Sequence, residues 1–339
     1  MAKRIGRYTL LTENKPSIIG FGSAVGKKEK DGPLGDLFDV AFDDDKIGQD
    51  SFEQAESALL CNAIVQSLKK SNTKNDEVDV IFAGDLLNQS MSSTFGLKKF
   101  RIPTVGLFGA CSTMALSLIQ ATLAVDSNWA NIALAATSSH FCSAERQFRF
   151  PLEYGGRRTP NSQWTVTGSG AMTVAKNDDT SPYVAAVCIG KIADFGVNDA
   201  NNMGAAMAPA AADTIKTFLN DTKTCVEDYD LIITGDLGDV GSKLLRELLE
   251  QSGIKLGSNY DDCGLLIYDM GDSTLGAGAS GCGCSGSVMC AKIIPEIIVG
   301  KHKRVLFVAT GALMSPTSSQ QGLSIPAVAH AVEIRSRGE

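Results

Sequence analysis

The chain has 339 residues, 44% of them hydrophobic, and carries a formal net charge of −7. An acidic balance without a visible basic cluster argues against nucleic-acid binding, because such proteins usually present a basic face. The length allows two halves of ordinary domain size, each with a substantial core.

Cysteine usage and the amino-terminal sequence indicate the compartment. The nine cysteines are odd in number, lack framework spacing and often lie inside apolar runs, as Cys61, Cys188 and Cys290 do. This usage favours a reducing compartment over a disulfide scaffold. Met1 is followed by polar sequence instead of an apolar signal core, and the apolar runs are too short or too interrupted to span a bilayer. We expect no signal peptide and no transmembrane segment.

Helical and strand patterns alternate along the first half. Residues 52–69 have a helical pattern, and residues 78–86 form an apolar run that ends in Gly-Asp, as buried strands do before a loop. The turn 109–112, Gly-Ala-Cys-Ser, leads into an apolar helical run, which is followed by an apolar strand over 130–139. The alternation predicts βαβ units around a mainly parallel sheet.

The second half repeats this order. A helical pattern near 205–220 precedes a strand over 229–237, which again ends in Gly-Asp, and a further strand is predicted over 265–268. A Gly-rich loop at 276–286 and a strand over 303–312 complete the repeat. Cys284 follows Cys111 at the same separation along the chain as Thr310 follows Thr137. The sequence therefore predicts an internal duplication with a boundary at 177–181.

Cys111 lies in the turn that leads into the apolar helix of the first copy. Its position at the first turn of a helix places the thiol near unpaired backbone N–H groups and the positive end of the helix dipole. This environment favours the thiolate and a nucleophilic role. The alternative is a buried structural cysteine, which is the commoner fate of cysteines in apolar runs.

The duplicated halves, the turn at Cys111 and the loop 276–286 resemble the thiolase and ketoacyl synthase superfamily. The resemblance covers nearly the whole chain. It implies an α/β protein with a five-layered αβαβα fold, an amino-terminal half at 1–180 that carries Cys111, and a carboxyl-terminal half at 181–339. It also implies a pocket between the halves and a homodimer formed by extending a sheet across a two-fold axis.

Condensing members of the superfamily use two further side chains, two His or a His and an Asn, to stabilise negative charge. In this chain, matching the Gly-rich loop to theirs places Ser280 at one of these positions. The other follows the strand that ends at Thr234, where this chain has Asp236. A second catalytic cysteine, expected near Val308, is absent. The comparison predicts a protein without catalytic residues, because a lost oxyanion donor alone costs about 10²- to 10³-fold in rate.

Further segments are similar to a non-catalytic sporulation family within that superfamily. They are residues 106–122, 138–141, 146–158 and 311–316. The resemblance implies binding of dipicolinic acid (pyridine-2,6-dicarboxylate) or its calcium chelate, and delivery to membrane proteins of a sporulation channel assembly. It implies a location on the cytoplasmic side of the developing spore, peripheral to the inner spore membrane. An acyltransferase that uses Cys111, and a scaffold without a ligand, are the alternatives.

The predicted site has no cofactor and no metal of its own; Ca²⁺ enters only as part of the ligand. Carboxylates could complete the coordination of a calcium chelate, whereas the free dianion would need the cations Arg146, Arg149, Arg157 and Arg158. The sequence leaves both modes open. It also leaves open whether His140 lines the pocket or caps a loop, and Cys282 and Cys284 are a weak zinc motif without a second pair. The predicted ligand-binding residues are Cys111, His140, Asp236, Asp262, Ser280, Cys282 and Cys284.

Overall fold

The computed structural model describes residues 2–148, 158–272 and 274–337. The strands of the first half are β1 Lys3–Ile5, β2 Thr9–Leu11, β3 Ser17–Val25, β4 Val40–Ala41, β5 Val80–Gly84, β6 Thr104–Gly106, β7 Ile132–Ser139, β8 Trp164–Thr165 and β9 Gly168–Ala175. Those of the second half are β10 Tyr183–Ile189, β11 Leu231–Thr234, β12 Tyr260–Asp262, β13 Ala279–Ser280, β14 Arg304–Ala312 and β15 Ala327–Arg335.

The helices fall between these strands in both halves. In the first half they are α1 Lys27–Lys30, α2 Phe52–Lys70, α3 Met91–Leu97, α4 Thr113–Asp126 and α5 Phe141–Phe148. In the second half they are α6 Met203–Thr222, α7 Gly238–Glu250, α8 Cys263–Leu266, α9 Cys282–Val288, α10 Ile294–Ile298 and α11 Pro316–Gln320, with a π-helical stretch Met289–Ile293 between α9 and α10.

The strand order shows the duplication directly. The continuous path is β12-β11-β14-β15-β10-β3-β9-β7-β5-β6. In the first half β6, β5 and β7 are parallel and β9 and β3 follow antiparallel; in the second half β12, β11 and β14 are parallel and β15 and β10 follow antiparallel. Along this path the half-sheets meet where Tyr183 of β10 pairs with Ser17 of β3, and β10 also pairs with β2 of the first half. The predicted duplication is confirmed, and the segment 177–181 lies in the connection between β9 and β10.

Five layers stack through the molecule. Helix α2 packs on β3 and β9 as one outer layer, and α6 packs on β14 and β15 as the other. Helices α4 and α9 lie between the half-sheets, where α4 contacts β7 as well as β14, and α9 contacts β9 and β7. Both central helices are buried on nearly all sides, which explains why their sequences are apolar or small all round. The predicted αβαβα fold is confirmed. The prediction of a mainly parallel sheet is wrong, because five of the nine pairings along the strand order are antiparallel.

One predicted element is wrong. Residues 265–268 were expected to form a strand, but helix α8 occupies Cys263–Leu266 and the strand in this region is β12, which ends at Asp262. The Asp262 side chain accepts a hydrogen bond from Gly264 N and so caps the helical turn. An apolar run alone does not distinguish a short buried helix from a buried strand.

Candidate functional site

The thiol of Cys111 is carried by a short 3₁₀ turn, Ala110–Ser112, immediately before α4. Side-chain hydrogen bonds fix this turn: Ser112 Oγ donates to Gly109 O at 2.6 Å, and Thr113 Oγ1 donates to Ala110 O at 2.7 Å. Ala110 has φ +48°, a left-handed conformation that costs a non-glycine residue energy and that surrounding contacts must maintain.

Strand β14 of the second half packs directly on this turn. A Cβ added at Gly311 would lie 2.1 Å from Gly109 O and 3.2 Å from Cys111 N. Only a glycine therefore allows the two backbones to approach so closely. The contact holds the thiol between the halves, as the duplication predicted.

A chain of polar groups leads from the thiol to a buried carboxylate. Cys111 Sγ lies 3.7 Å from Ser280 Oγ, and Ser280 Oγ donates to Asp236 Oδ2 at 3.0 Å. Gly281 N donates to the same oxygen at 2.8 Å, and Thr310 Oγ1 donates to Oδ1 at 3.0 Å. The structure thus brings together three of the predicted site residues, Cys111, Asp236 and Ser280.

The electrostatics of this cluster oppose a thiolate. Burial raises the pKa of Cys111 well above its ordinary value, and the negative charge of Asp236 raises it further. Burial also raises the pKa of Asp236 to about 6, although its hydrogen-bond donors act in the opposite direction. The expectation that the helix terminus would favour the thiolate is therefore wrong. Desolvation and a nearby carboxylate outweigh the helix dipole, whose effect is at most about 2 kcal/mol.

Asp262 organises the loop after β11. Its Oδ2 accepts from Thr234 Oγ1 at 2.6 Å and Leu237 N at 2.9 Å, while Oδ1 accepts from Gly238 N and Gly264 N, both at 3.0 Å. These four donors occupy both carboxylate oxygens, and burial raises the pKa of the group to about 7. Asp262 therefore acts on the site by holding the loop that carries Asp236.

Cys282 and Cys284 are packed inside α9. The Cys282 thiol donates to Ser138 O at 3.0 Å, and the Cys284 thiol donates to Gly235 O at 3.7 Å. Both are fully buried, and burial raises the pKa of each thiol well above its ordinary value. Within residues 2–148, 158–272 and 274–337, no group of three or more His, Cys, Asp or Glu side chains is placed to hold a metal ion. The two thiols link α9 to the ends of strands in both halves.

His140 uses both ring nitrogens within the protein. Nε2 lies 2.7 Å from Asp45 O, Nδ1 accepts from Cys142 N at 3.1 Å, and the ring packs against Phe52. Because Nδ1 accepts, Nε2 carries the proton and donates to the carbonyl. Burial lowers the pKa of the ring, which keeps it neutral. These contacts support the loop-capping interpretation of His140 over the pocket role.

Sequence reasoning missed Gln163. Its Nε2 donates to Asp236 O at 2.7 Å and to Ala279 O at 2.8 Å. It therefore joins the segment that carries Asp236 to the segment that carries Ser280. The residue precedes the short strand β8, which pairs with β13 so that Thr165 lies opposite Ser280. A single glutamine in a loop carries no motif, so only the fold could reveal its position.

The segment after His140 provides a cation on an aromatic surface. The rings of Phe141 and Trp164 stack with centroids 4.0 Å apart, and the Arg158 guanidinium lies 5.1 Å from the Trp164 ring centroid. Arg158 also donates to Glu145 at 2.8 Å and to Gln163 O, which links it to the carboxylate cluster. Of the other predicted cations, Arg146 pairs with Glu53 at the surface. Arg149 and Arg157 lie outside the described residues.

Several further carboxyl groups are buried near the site. Glu29 accepts from Tyr268 and Thr167, and burial raises its pKa to about 7. Glu56 accepts from Ser143 Oγ at 2.7 Å, and burial together with the nearby charge of Asp85 raises its pKa. All of these groups bind protons more tightly in the folded chain than in an unfolded one.

This burial predicts that stability falls as the pH rises. For Glu29 and Asp262 the unfolded pKa is near 4 and the folded pKa is about 7. The folded state holds extra protons in that window, so the stabilisation is fully present below the unfolded pKa, declines as the pH rises across the window and is lost once the pH has passed the folded pKa. We expect the melting temperature to be several degrees higher at about pH 5.5 than at about pH 8. Calorimetric melting at both pH values checks this, and an increase towards pH 8 would contradict it.

The fold is similar to that of several solved structures. The chain resembles 3-oxoacyl-[acyl-carrier-protein] synthase III from Aquifex aeolicus VF5, with 16% identity, coverage of 94% of this chain and 99% of that one, and a TM-score of 0.60. It is also similar to the corresponding enzyme FabH of Pseudomonas aeruginosa PAO1, at 12% identity, 96% and 99% coverage and a TM-score of 0.58. Cerulenin-bound OleA of Xanthomonas campestris gives 13% identity, 96% and 97% coverage and a TM-score of 0.55. The chain therefore has the thiolase-like fold that these structures share.

Sequence comparison identifies the family to which the chain belongs. Residues 6–335 match the family stage V sporulation protein AD (SpoVAD). The chain is 45% identical over 336 residues to stage V sporulation protein AD of Bacillus subtilis (strain 168), covering 99% of both chains. The chain therefore belongs to the stage V sporulation protein AD family, and the resemblance to a sporulation branch is confirmed. In the described part of the chain, no helix is both long enough and apolar enough to cross a membrane.

Proposed function

We propose that this protein binds dipicolinate without catalysis and delivers it to a membrane channel assembly for uptake into the developing spore. The observation that carries the non-catalytic part is the burial of the Cys111 thiol beside Ser280 and the carboxylate of Asp236, which raises the pKa of the thiol. A buried carboxylate would repel an enolate or a thioester oxyanion, where a condensing enzyme needs donors.

The positions of the three histidines support this proposal. His140 bonds to Asp45 O and Cys142 N, His330 accepts from Gly190 N, and His302 pairs with Glu296 at the opposite edge of the sheet. The chain has three His in total, so each has a partner other than the Cys111 thiol. No imidazole is thus available to remove the proton of the thiol in this arrangement.

The carboxylates of the site favour the free dianion over the calcium chelate as ligand. Asp236 accepts from Ser280, Gly281 and Thr310, and Asp262 accepts from four donors. A calcium ion would have to displace these internal hydrogen bonds to gain a carboxylate oxygen. Neither group supplies a ready ligand for the metal.

Arg158 is the cation best placed to receive the dianion. Its guanidinium lies beside the stacked Phe141 and Trp164 rings, 5.6 and 5.1 Å from their centroids, and its buried Nε–H has no hydrogen-bond partner within the described structure. A planar aromatic dicarboxylate matches such a site, because arginine binds carboxylates in its own plane and aromatic rings stack on each other. Glu145 neutralises part of this charge, so a ligand carboxylate would compete with it.

Arg158→Gln is expected to weaken dipicolinate binding about tenfold to a hundredfold, since a hydrogen bond to a charged group contributes about 1.5 to 3 kcal/mol. Isothermal titration calorimetry measures the change, and Arg146→Gln is the matched control because Arg146 lies on the same segment but pairs with Glu53 at the surface. Equal loss in both variants would contradict the assignment of Arg158.

Two outcomes of the calorimetry would overturn the wider proposal. Heat only in the presence of Ca²⁺ would establish the chelate as ligand, and no heat under either condition would favour a scaffold. Acyl transfer is tested separately by incubation with short acyl-thioesters and mass spectrometry of Cys111. Turnover that disappears in Cys111→Ala would restore the acyltransferase alternative.

We also propose that the protein is a homodimer. Among the described residues, strand β6 pairs with β5 on one side only, all three residues of β6 are exposed, and Phe108 beside it is 52% exposed. An unprotected edge with apolar side chains is suited to pairing with a second copy. Light scattering would show a mass near twice 35.7 kDa, and a monomer at all concentrations would oppose the proposal.

A further inference from the structure

A depression lies at the opposite end of the second half-sheet from Cys111. It is lined by residues from the β9–β10 connection, from α10 with the turn that follows it, and from the chain after β15. Lys303 on its rim directly precedes β14, whereas Cys111 contacts Gly311 near the other end of that strand. At about 3.3 Å per residue, the two ends are roughly 26 Å apart. The depression is thus separate from the ligand site.

Apolar side chains project beside this depression. Helix α10 ends at Ile298, which is 50% exposed, and the next residue, Val299, is 78% exposed. Gly300 follows with φ +78° and reverses the chain towards β14. Adjacent branched aliphatic side chains at the tip of a turn are unfavourable in water, so their exposure indicates a surface that contacts something apolar.

Cations lie on the same side of the molecule as this apolar tip. Lys303 and Arg337 line the depression, and Lys15 and Arg337 lie over the same ring, that of Tyr183, at 5.3 and 4.6 Å from its centroid. Among the described residues, none of these three cations forms a salt bridge with a carboxylate. The side chains form a compact surface of two aliphatic groups and three positive charges.

The acidic groups nearby are already engaged. Glu296 faces three potential cations, Lys292, Lys301 and His302. Asp230 accepts from the backbone N–H groups of Lys303 and Arg304. Glu333 faces both Arg304 and Arg335. In the described structure these carboxylates are thus engaged away from Lys15, Lys303 and Arg337, which keep their positive charge unpaired although the whole chain carries a net charge of −7.

We propose that this surface, made of Lys15, Tyr183, Ile298, Val299, Lys303 and Arg337, docks directly on an anionic phospholipid membrane. Val299 and Ile298 enter the interfacial region of the bilayer, and the cations contact lipid phosphates. Shallow insertion of a few apolar groups combined with attraction to anionic lipids is a general means of peripheral binding. Since Cys111 lies near the far end of β14, the ligand site faces away from the bilayer in this orientation.

Co-sedimentation of the full chain with vesicles tests the proposal independently of ligand binding. We expect binding to vesicles of phosphatidylglycerol and phosphatidylcholine, weaker binding at high salt, and little binding to phosphatidylcholine alone. Lys303→Glu should lower the partition coefficient by at least about tenfold, because each cation near the surface contributes about fivefold. Val299→Asp should also lower it, and Lys303→Arg should preserve it.

Matched controls lie at the other end of the sheet. Lys243→Glu is the control for Lys303→Glu and makes the same change of charge at an exposed residue of α7. Ile192→Asp is the control for Val299→Asp and changes an exposed apolar residue after β10. Both should bind vesicles as the unaltered protein does. Any of three results would overturn the proposal. They are equal losses in test and control variants, equal binding to both vesicle types, and binding only when other membrane proteins are present.

Discussion

Asp262→Ala is expected to lower the free energy of unfolding by about 4 kcal/mol or more. The substitution leaves the backbone N–H groups of Leu237, Gly238 and Gly264 buried without their acceptor, together with the hydroxyl of Thr234. An unsatisfied buried donor costs about 1 to 3 kcal/mol, and several share one site here. Denaturant titration followed by circular dichroism measures the loss.

Two variants make this result interpretable. Asp199→Ala removes an exposed carboxylate that accepts from Asn201 N, and should cost less than about 1 kcal/mol because water replaces it. Thr234→Val removes a single donor to Asp262, and should be folded and mildly destabilised if the alanine variant cannot be purified. A loss below about 1 kcal/mol for Asp262→Ala would show that the loop does not depend on this carboxylate.

Gly311→Ala is expected to displace the turn that carries Cys111. The new methyl group would lie 2.1 Å from Gly109 O. The methyl carbon is attached directly to the backbone and Gly109 O is a backbone atom, so neither can rotate away. Overpacking of this kind costs about 1 to 3 kcal/mol. We expect a lower melting temperature and at least about tenfold weaker dipicolinate binding, since the left-handed Ala110 beside it requires the same contact.

Gly271→Ala is the matched control for this substitution. Its added methyl group meets only the flexible Asp269 side chain, at 3.2 Å, and the residue is exposed. Melting temperature and binding should remain unchanged there. A Gly311→Ala protein with normal stability and normal binding would show that the two backbones can separate without consequence.

Much of the fold could be predicted because its pattern occurs twice. Apolar runs that end in Gly-Asp marked β5 and β11, and the buried central helices were recognisable from their lack of a polar face. A repeated pattern is hard to produce by chance, so each copy supported the other. The apolar run at 265–268 had no such copy, and there the predicted strand was wrong.

The site was only partly predictable for a different reason. Ser280 and Asp236 were placed beside Cys111 because motif positions in a shared fold fix where the loops meet. Gln163 and the stack of Phe141 on Trp164 were not found, because their partners are distant in sequence and belong to no motif. The protonation state of Cys111 was also misjudged, since a helix terminus is visible in a sequence but burial and a neighbouring carboxylate are not.

The sequence by itself determined the duplicated layers, the turn bearing Cys111 and the presence of Ser and Asp at positions 280 and 236. These are properties of local pattern and of residue identity at fixed positions. Only the tertiary structure decided that Asp262 and His140 are engaged by internal hydrogen bonds, that burial and Asp236 raise the pKa of the Cys111 thiol, and that Lys303 and Arg337 line the same depression as Ile298. Hydrogen-bond saturation, desolvation and surface potential depend on groups brought together from separate parts of the chain, so no local pattern specifies them.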